Sequence, residues 1–350
     1  MLPNVDPQDL LPQIGFNLLV AQARESLPDA TGTLARVVEL SRSNSVIHNG
    51  VQLHEARQRP ALARVNPIVV GDWVLAAPDA HGEWWLSDRL TPYTEFHRID
   101  PSGARQALVT NVDSAFLAMG MDGDFNLRRL ERYLALAKSA GVLPVVVLTK
   151  ADLFPDADIK LDLLAERLPS SIERHAVNAT DPASVGCLAP YLGRGQTAVV
   201  LGSSGAGKST LTNTLTETST QGIGAVRASD SRGRHTTTSR QLRQLPGGGC
   251  LIDTPGLRGL RLDIDRVALD ASFEDIAALA PNCRFRDCAH HNEPDCAVRA
   301  GVAPDRLANY RKLCREVSRD RADPVARQTA KAEIKSQQRA LRAMQKERGR

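Results

Sequence analysis

Gly202-Ser203-Ser204-Gly205-Ala206-Gly207-Lys208-Ser209 decides how this chain folds. The octapeptide fits the pattern G-x-x-x-x-G-K-[ST]. It follows an apolar run, Ala198 to Leu201, and precedes a helix-compatible run, Thr210 to Leu215, so it sits in the strand-loop-helix setting the pattern requires. Glycines let backbone N–H groups turn inward around phosphate oxygens, and the helix that follows points its N-terminus at the anion. Gly202 through Thr210 is therefore the predicted phosphate-binding segment. Within it Lys208 is placed to reach the β- and γ-phosphates and Ser209 to ligate Mg²⁺.

Working outward, the runs Ala107 to Val112, Ala115 to Met119, Val145 to Leu148 and Cys250 to Ile252 read as further strands. Leu127, Leu130, Leu134 and Ala137 recur at helical spacing, with Gly141 placed to end that helix. Continuous apolar runs alternating with helices predict an α/β unit with a mainly parallel sheet. A phosphate loop alone does not choose between nucleotides; a reader of the base does. Thr149-Lys150-Ala151-Asp152 lies just after the strand Val145 to Leu148, at the edge where open α/β sheets bind ligands. It resembles the [NT]-K-x-D motif of GTPases, which implies that Asp152 accepts hydrogen bonds from guanine while the Lys150 stem covers the ring. Adenine has no matching donors, and such a mismatch discriminates by about 10⁴ to 10⁵.

Asp253-Thr254-Pro255-Gly256 resembles the D-x-x-G switch motif, which implies a Mg²⁺-side role for Asp253 and a γ-phosphate contact for Gly256. Asn178 and Ala179 resemble the short S-A segment behind the guanine, with Asn178 where serine is commoner. The order is unusual: the base reader comes before the phosphate loop, and the switch motif comes last. A circularly permuted domain follows, tolerable because domain termini tend to lie at the surface and near one another.

The remainder of the 350 residues divides by texture. Residues 1–30 form an extension with an apolar patch, Ile14 to Val20, suited to a short docking helix. From residue 31 to 100 short β-type runs recur, Thr33 to Leu40, Val46 to His48, Leu62 to Val65, Ile68 to Leu75 and Trp84 to Leu86, and predict a small all-β barrel. Residues 101–270 carry the nucleotide motifs, and 271–350 a cysteine cluster and a basic tail. Cys283-x4-Cys288-x-His290-x5-Cys296 offers three thiolates and an imidazole, the set a closed tetrahedral zinc site wants, with His291 competing for the fourth place. In a reducing compartment such clustering favours a metal over disulfides. The whole-chain charge of +4 decides no partner, but Arg321 to Arg350 is strongly basic and suggests a polyanion-facing surface. Neither a leader-like start nor an apolar run of spanning length is present, so a cytoplasmic protein without membrane association is expected; a monomer is expected as well.

This motif order, the preceding β-rich segment, Gly233-Arg234-His235-Thr236-Thr237-Thr238 and the cysteine cluster together resemble the RsgA family of circularly permuted, ribosome-small-subunit-dependent GTPases. The resemblance covers roughly residues 31 to 320. It implies an OB-fold barrel, a permuted P-loop GTPase domain and a small, mostly helical zinc domain, and it favours His290 as the fourth ligand. It also implies GTP hydrolysis stimulated by the small (30S) subunit, binding to 16S rRNA, and a role in late subunit maturation. Leu257 replaces the water-orienting glutamine common in GTPases; the resemblance supplies His235 instead, with Thr236 or Thr237 sensing the γ-phosphate and Mg²⁺. Thr149 in place of the commoner asparagine puts bracing of the phosphate loop in question. Two other readings remain at this level: an RNA-binding scaffold in which nucleotide only stabilises the fold, and a P-loop ATPase or kinase, which Asp152 opposes.

Overall fold

The computed structural model describes residues 7–41, 44–59, 62, 67–100, 104–217, 240–245, 247–254 and 261–321. Strands β1 (Thr33–Leu40), β2 (Ser45–His48), β3 (Leu53–Gln58), β4 (Trp73–Pro78) and β5 (Trp84–Arg89) follow one another along the chain. They close on themselves in the order β1-β2-β3-β5-β4-β1. All these pairs are antiparallel except β3 with β5, the arrangement of a five-stranded OB-type barrel. Strand alternation sends Ala35 and Val37 into the barrel core with Ile47, Val74 and Leu86, and turns Arg36 and Val38 to the opposite face. That second face is also covered, which is why β1 reads as a continuous buried run.

Two barrel expectations need correction. Ile68 to Leu75 is not one strand: Gly71 turns at φ +97°, where a Cβ would stand 2.2 Å from the Thr110 carbonyl oxygen, and the Asp72 carboxylate accepts from the Val69 N–H at 2.8 Å. The strand begins only at Trp73. Leu62, expected in a strand, is helical. The sequence reading also passed over β3, whose Leu53, His54 and Glu55 give weak alternation.

Strands β6 (Glu95–Ile99) and β7 (Arg105–Thr110) pair antiparallel and are joined by β14 (Arg261–Leu262) in a three-stranded sheet. Next come β8 (Ser114–Gly120), β9 (Leu143–Thr149), β10 (Glu173–Val177), β11 (Thr197–Gly202), β12 (Gln241–Gln244) and β13 (Cys250–Asp253). Five of them run parallel in the order β10-β9-β8-β11-β13, with β12 antiparallel at the end. One pairing, Glu39 with Gln241, carries this sheet into the barrel.

Among the helices, α1 (Pro7–Leu10) and α2 (Leu18–Glu25) belong to the extension; Asn17 caps α2 by accepting from the Val20 N–H, and Phe16 sits edge-on to Trp73. The expected docking segment thus exists, held by buried Ile14 and Val20, while Leu18 and Leu19 face outward. Helix α3 (Leu127–Ser139) starts at its Asn126 cap and stops before Gly141 at φ +70°. After it come α4 (Ala157–Arg167), α5 (Pro182–Val185) and α6 (Lys208–Glu217). The carboxy-terminal segment is helical: α7 (Arg266–Ser272), α8 (Glu274–Leu279), α9 (Ala297–Gly301) and α10 (Pro304–Arg321). Fully buried Glu131 ties α3 to α4 and α10, accepting from Arg167 at 2.6 Å, Arg306 at 2.7 Å and Asn309 at 2.5 Å. An unpaired carboxylate at that depth would be costly; two guanidinium groups and an amide make it tolerable.

Candidate nucleotide site and metal centre

The carboxyl ends of β8, β9, β11 and β13 lie along one edge of the parallel sheet, where open α/β sheets hold their ligands. Gly202 ends β11 so close to β8 that a Cβ would stand 2.4 Å from the Ala118 carbonyl oxygen. Gly205 and Gly207 then adopt φ of +87° and +76°, which only glycine reaches without strain. Along the loop Ser203 and Ala206 are buried and Ser204 is exposed. Lys208 opens α6; its buried ammonium donates to the Ser203 carbonyl at 2.7 Å, and Ser209 and Thr210 stand exposed on the same turn.

The base-reader segment meets this loop directly. Buried Thr149, last in β9, donates its hydroxyl to the Ala206 carbonyl at 2.9 Å. A Cβ on Gly207 would sit 3.1 Å from that hydroxyl oxygen, so the bare glycine lets the two segments touch. The threonine therefore braces the phosphate loop, which answers the doubt its departure from asparagine raised. Lys150 takes the left-handed conformation at φ +66°, and its ammonium lies 2.6 Å from Asp122. That hydrogen-bonded cation holds the Asp122 carboxyl below its ordinary range. Ala151 and Asp152 form a single 3-10 turn, with the Asp152 carboxylate exposed.

Behind them, Asn178 accepts from the Thr180 N–H at 3.0 Å and hydroxyl at 2.7 Å, and the Ala179 carbonyl accepts from Thr214 of α6 at 2.7 Å. Asp253 ends β13 beside Val200 of β11, and the neighbouring Thr254 hydroxyl donates to the Val200 carbonyl at 2.7 Å. Residues 149 to 152, 178 and 179, 202 to 210 and 253 thus converge on one edge although 104 positions separate the first from the last. His235, Thr236, Thr237 and Gly256 lie outside the described residues. Sequence reasoning passed over Asp122 and Asp124, which also reach this edge; the signal was Asp122-Gly123-Asp124 shortly after the apolar strand Ala115 to Met119.

The ligand atoms of Cys283, Cys288, His290 and Cys296 all lie within 4.8 Å of one another. Cys283 and Cys296 sulfurs are 3.8 Å apart, and the His290 Nδ1 is 3.6 Å and 3.5 Å from them. A tetrahedron built on Zn–S of about 2.3 Å and Zn–N of about 2.0–2.1 Å has edges of about 3.8 and 3.5 Å, so all four donors fit zinc in kind and Cys283, His290 and Cys296 also fit it in spacing. His290 is turned inward by a left-handed φ of +58°, whereas His291 is exposed and its N–H donates to Glu293. The geometry thus groups His290, and not His291, with the three thiols.

A parallel sheet presenting a phosphate loop and a base reader in reversed chain order defines a circularly permuted P-loop nucleotide-binding protein. Residues 92–263 match the family described as RsgA GTPase. The chain is 46% identical over 298 residues to the small ribosomal subunit biogenesis GTPase RsgA of Xanthomonas oryzae pv. oryzae (strain MAFF 311018), covering 81% of this chain and 80% of the relative. Its fold is similar to the crystal structure of YjeQ from Thermotoga maritima, with TM-score 0.62 and 25% identity over 81% of this chain and 98% of that one. YloQ, a circularly permuted GTPase, matches with TM-score 0.58 and 25% identity over 84% of this chain and 97% of its own. The chain belongs to the RsgA GTPase family.

Proposed function

We propose that this chain hydrolyses GTP during late maturation of the small ribosomal subunit, binding the subunit through 16S rRNA and using turnover to control its release. The observation that carries the reading is the Thr149 to Ala206 contact, which joins the base-reading strand end to the phosphate loop at 2.9 Å and so makes one site of two distant motifs. Asp152 would accept from guanine while the Lys150 stem covers the ring, with Ala151, Asn178 and Ala179 behind it. Backbone N–H groups from Gly202 to Thr210 would hold the phosphates, and Lys208 would turn from Ser203 toward their oxygens.

Ser209 would offer Mg²⁺ an oxygen ligand and Asp253 would reach the ion through water; when bound, Mg²⁺ would neutralise charge on the β- and γ-phosphate oxygens. We assign the water-orienting role to His235, as a neutral imidazole accepting a hydrogen bond from the attacking water, and γ-phosphate sensing to Thr236 or Thr237 together with Gly256. Zinc at Cys283, Cys288, His290 and Cys296 is assigned a structural role because all four positions of the tetrahedron are protein donors. The proposed division is an extension to residue 30, a barrel to 100, a GTPase domain to 270 and a zinc domain with its tail beyond. Among the described residues no helix is long and apolar enough to cross a membrane, and a cytoplasmic monomer fits the reading.

Hydrolysis of GTP and of ATP, each with and without purified small subunits, tests it. GTP-selective turnover that rises at least about tenfold with subunits supports the proposal, and His235→Ala should lose most of that rise while keeping GTP binding. Turnover with ATP alone, or none under any condition, would overturn it, the latter in favour of an RNA-binding scaffold.

A further inference from the structure

Resting on the GTPase reading, the geometry points to Asp122 and Asp124 as positioning residues, one for the base-reading lysine and the other for the phosphate loop. Both sit in the loop that leaves β8 for α3, a segment with no part in the motifs above. Asp122 meets the Lys150 ammonium at 2.6 Å. Asp124, only 11% exposed at its side chain, accepts from the Ser203 hydroxyl at 2.5 Å and, through its other oxygen, from the Gly120 N–H at 3.2 Å. Arg129 of α3 pairs at 2.5 Å with the same oxygen that accepts from Ser203 and so fixes the carboxylate in place.

The loop is itself held from both sides. The Asp124 N–H donates to Asp122 at 3.1 Å, the Met121 N–H to the Thr149 carbonyl at 3.1 Å, and Lys160 to the Met121 carbonyl at 3.0 Å while its ammonium lies 4.6 Å from the Phe154 ring centre. A carboxylate held this rigidly sets its partner's place without touching nucleotide. Lys150 has a flexible stem with a compact charge, and Asp122 confines that charge to one side of the base pocket. Ser203, inside the phosphate loop, is pinned by Asp124 so that the loop keeps its cradle shape between turnovers.

The two roles separate by ligand. Guanosine engages the base reader without the phosphate loop, and inorganic pyrophosphate the reverse, so inhibition constants for each are measured by competition against a fluorescent GDP on the full chain. Asp124→Asn is expected to raise the pyrophosphate constant about tenfold and leave guanosine within about twofold; Asp122→Asn should do the opposite. Ser203→Ala should reproduce the Asp124→Asn effect, and the double variant should be no weaker than the weaker single. If both variants shift the two ligands equally, or neither shifts either, the inference is overturned. Should Asp124→Asn fail to fold, Ser203→Ala decides by the same ligand split. Absence of GDP binding by the unaltered chain would instead overturn the GTPase reading beneath it.

Discussion

Thr149 shows how one hydroxyl can tie together parts of a site that lie far apart in sequence. Its side chain is buried, its Oγ1 donates to Ala206, and Gly207 is bare where the two meet. Removing the donor while keeping the shape, as in Thr149→Val, leaves a phosphate-loop carbonyl without its partner, at a cost of about 1–3 kcal/mol. GDP affinity should fall about tenfold or more, with GTP affected alike, and Thr149→Ser should restore most of it; a fluorescent-GDP titration reads both. Unchanged affinity in the valine variant would mean the loop holds its shape without this contact. At the same scale the barrel tryptophans divide: Trp73 is core and lies under the Arg36 guanidinium, whereas half-buried Trp84 lies tilted against His54 with ring centres 4.0 Å apart. Arg89, beside them in sequence, is occupied by Asp72 and Glu95 and belongs to the frame rather than to a free basic surface.

The clearest device among the elements is the loop from Cys283 to Cys296. Two short helices flank it, and the loop carries little apolar weight of its own: Phe285 is exposed, and the buried positions are His290 and Cys296. Cys296 also caps α9, its sulfur accepting from the Arg299 N–H at 3.4 Å. Metal binding in such a loop is folding free energy, because the unfolded chain has no preformed site. Elemental analysis should find one zinc per chain, lost in Cys288→Ser. Stripping the metal with a strong chelator should speed amide exchange over residues 283–296 while strands β8, β9 and β11 keep their protection. A chain that purifies without zinc and still protects this loop would remove the metal from the account.

At the level of the whole molecule, one core continues from Val20 and Trp73 through the parallel sheet to Leu313 and Val317 of α10. The polar counterpart of that core is Arg36. Fully buried on the outer face of β1, it donates to the Ile14 carbonyl at 2.6 Å, the Thr197 hydroxyl at 2.7 Å, the Asn111 carbonyl at 2.8 Å and the Gly71 carbonyl at 3.3 Å. Extension, barrel and GTPase sheet are thereby stapled through one guanidinium. Arg36→Met keeps the stem but strands those acceptors, and should cost about 3 kcal/mol or more. In calorimetry the transition should move down by several degrees and broaden or split as barrel and GTPase domain lose their common anchor. A single, unshifted transition would show that apolar contact alone holds the units together.

Local chemistry is what made the nucleotide site legible. The phosphate loop, the base reader and the switch aspartate are short motifs whose residue types are dictated by backbone approach, charge and hydrogen bonding, so Gly202, Lys208, Asp152 and Asp253 announced themselves in linear order, and that order announced the permutation. The cysteine-histidine cluster was legible for the same reason, the number and softness of its donors being intrinsic to the side chains. Contacts between segments had no such local signature. That Thr149 reaches Ala206, that Asp124 holds Ser203, that His290 rather than His291 turns inward, and that Arg36 sits beneath three units all depend on where distant backbone comes to rest, because a hydrogen bond is fixed by geometry within a few tenths of an ångström and residue identity alone does not carry it.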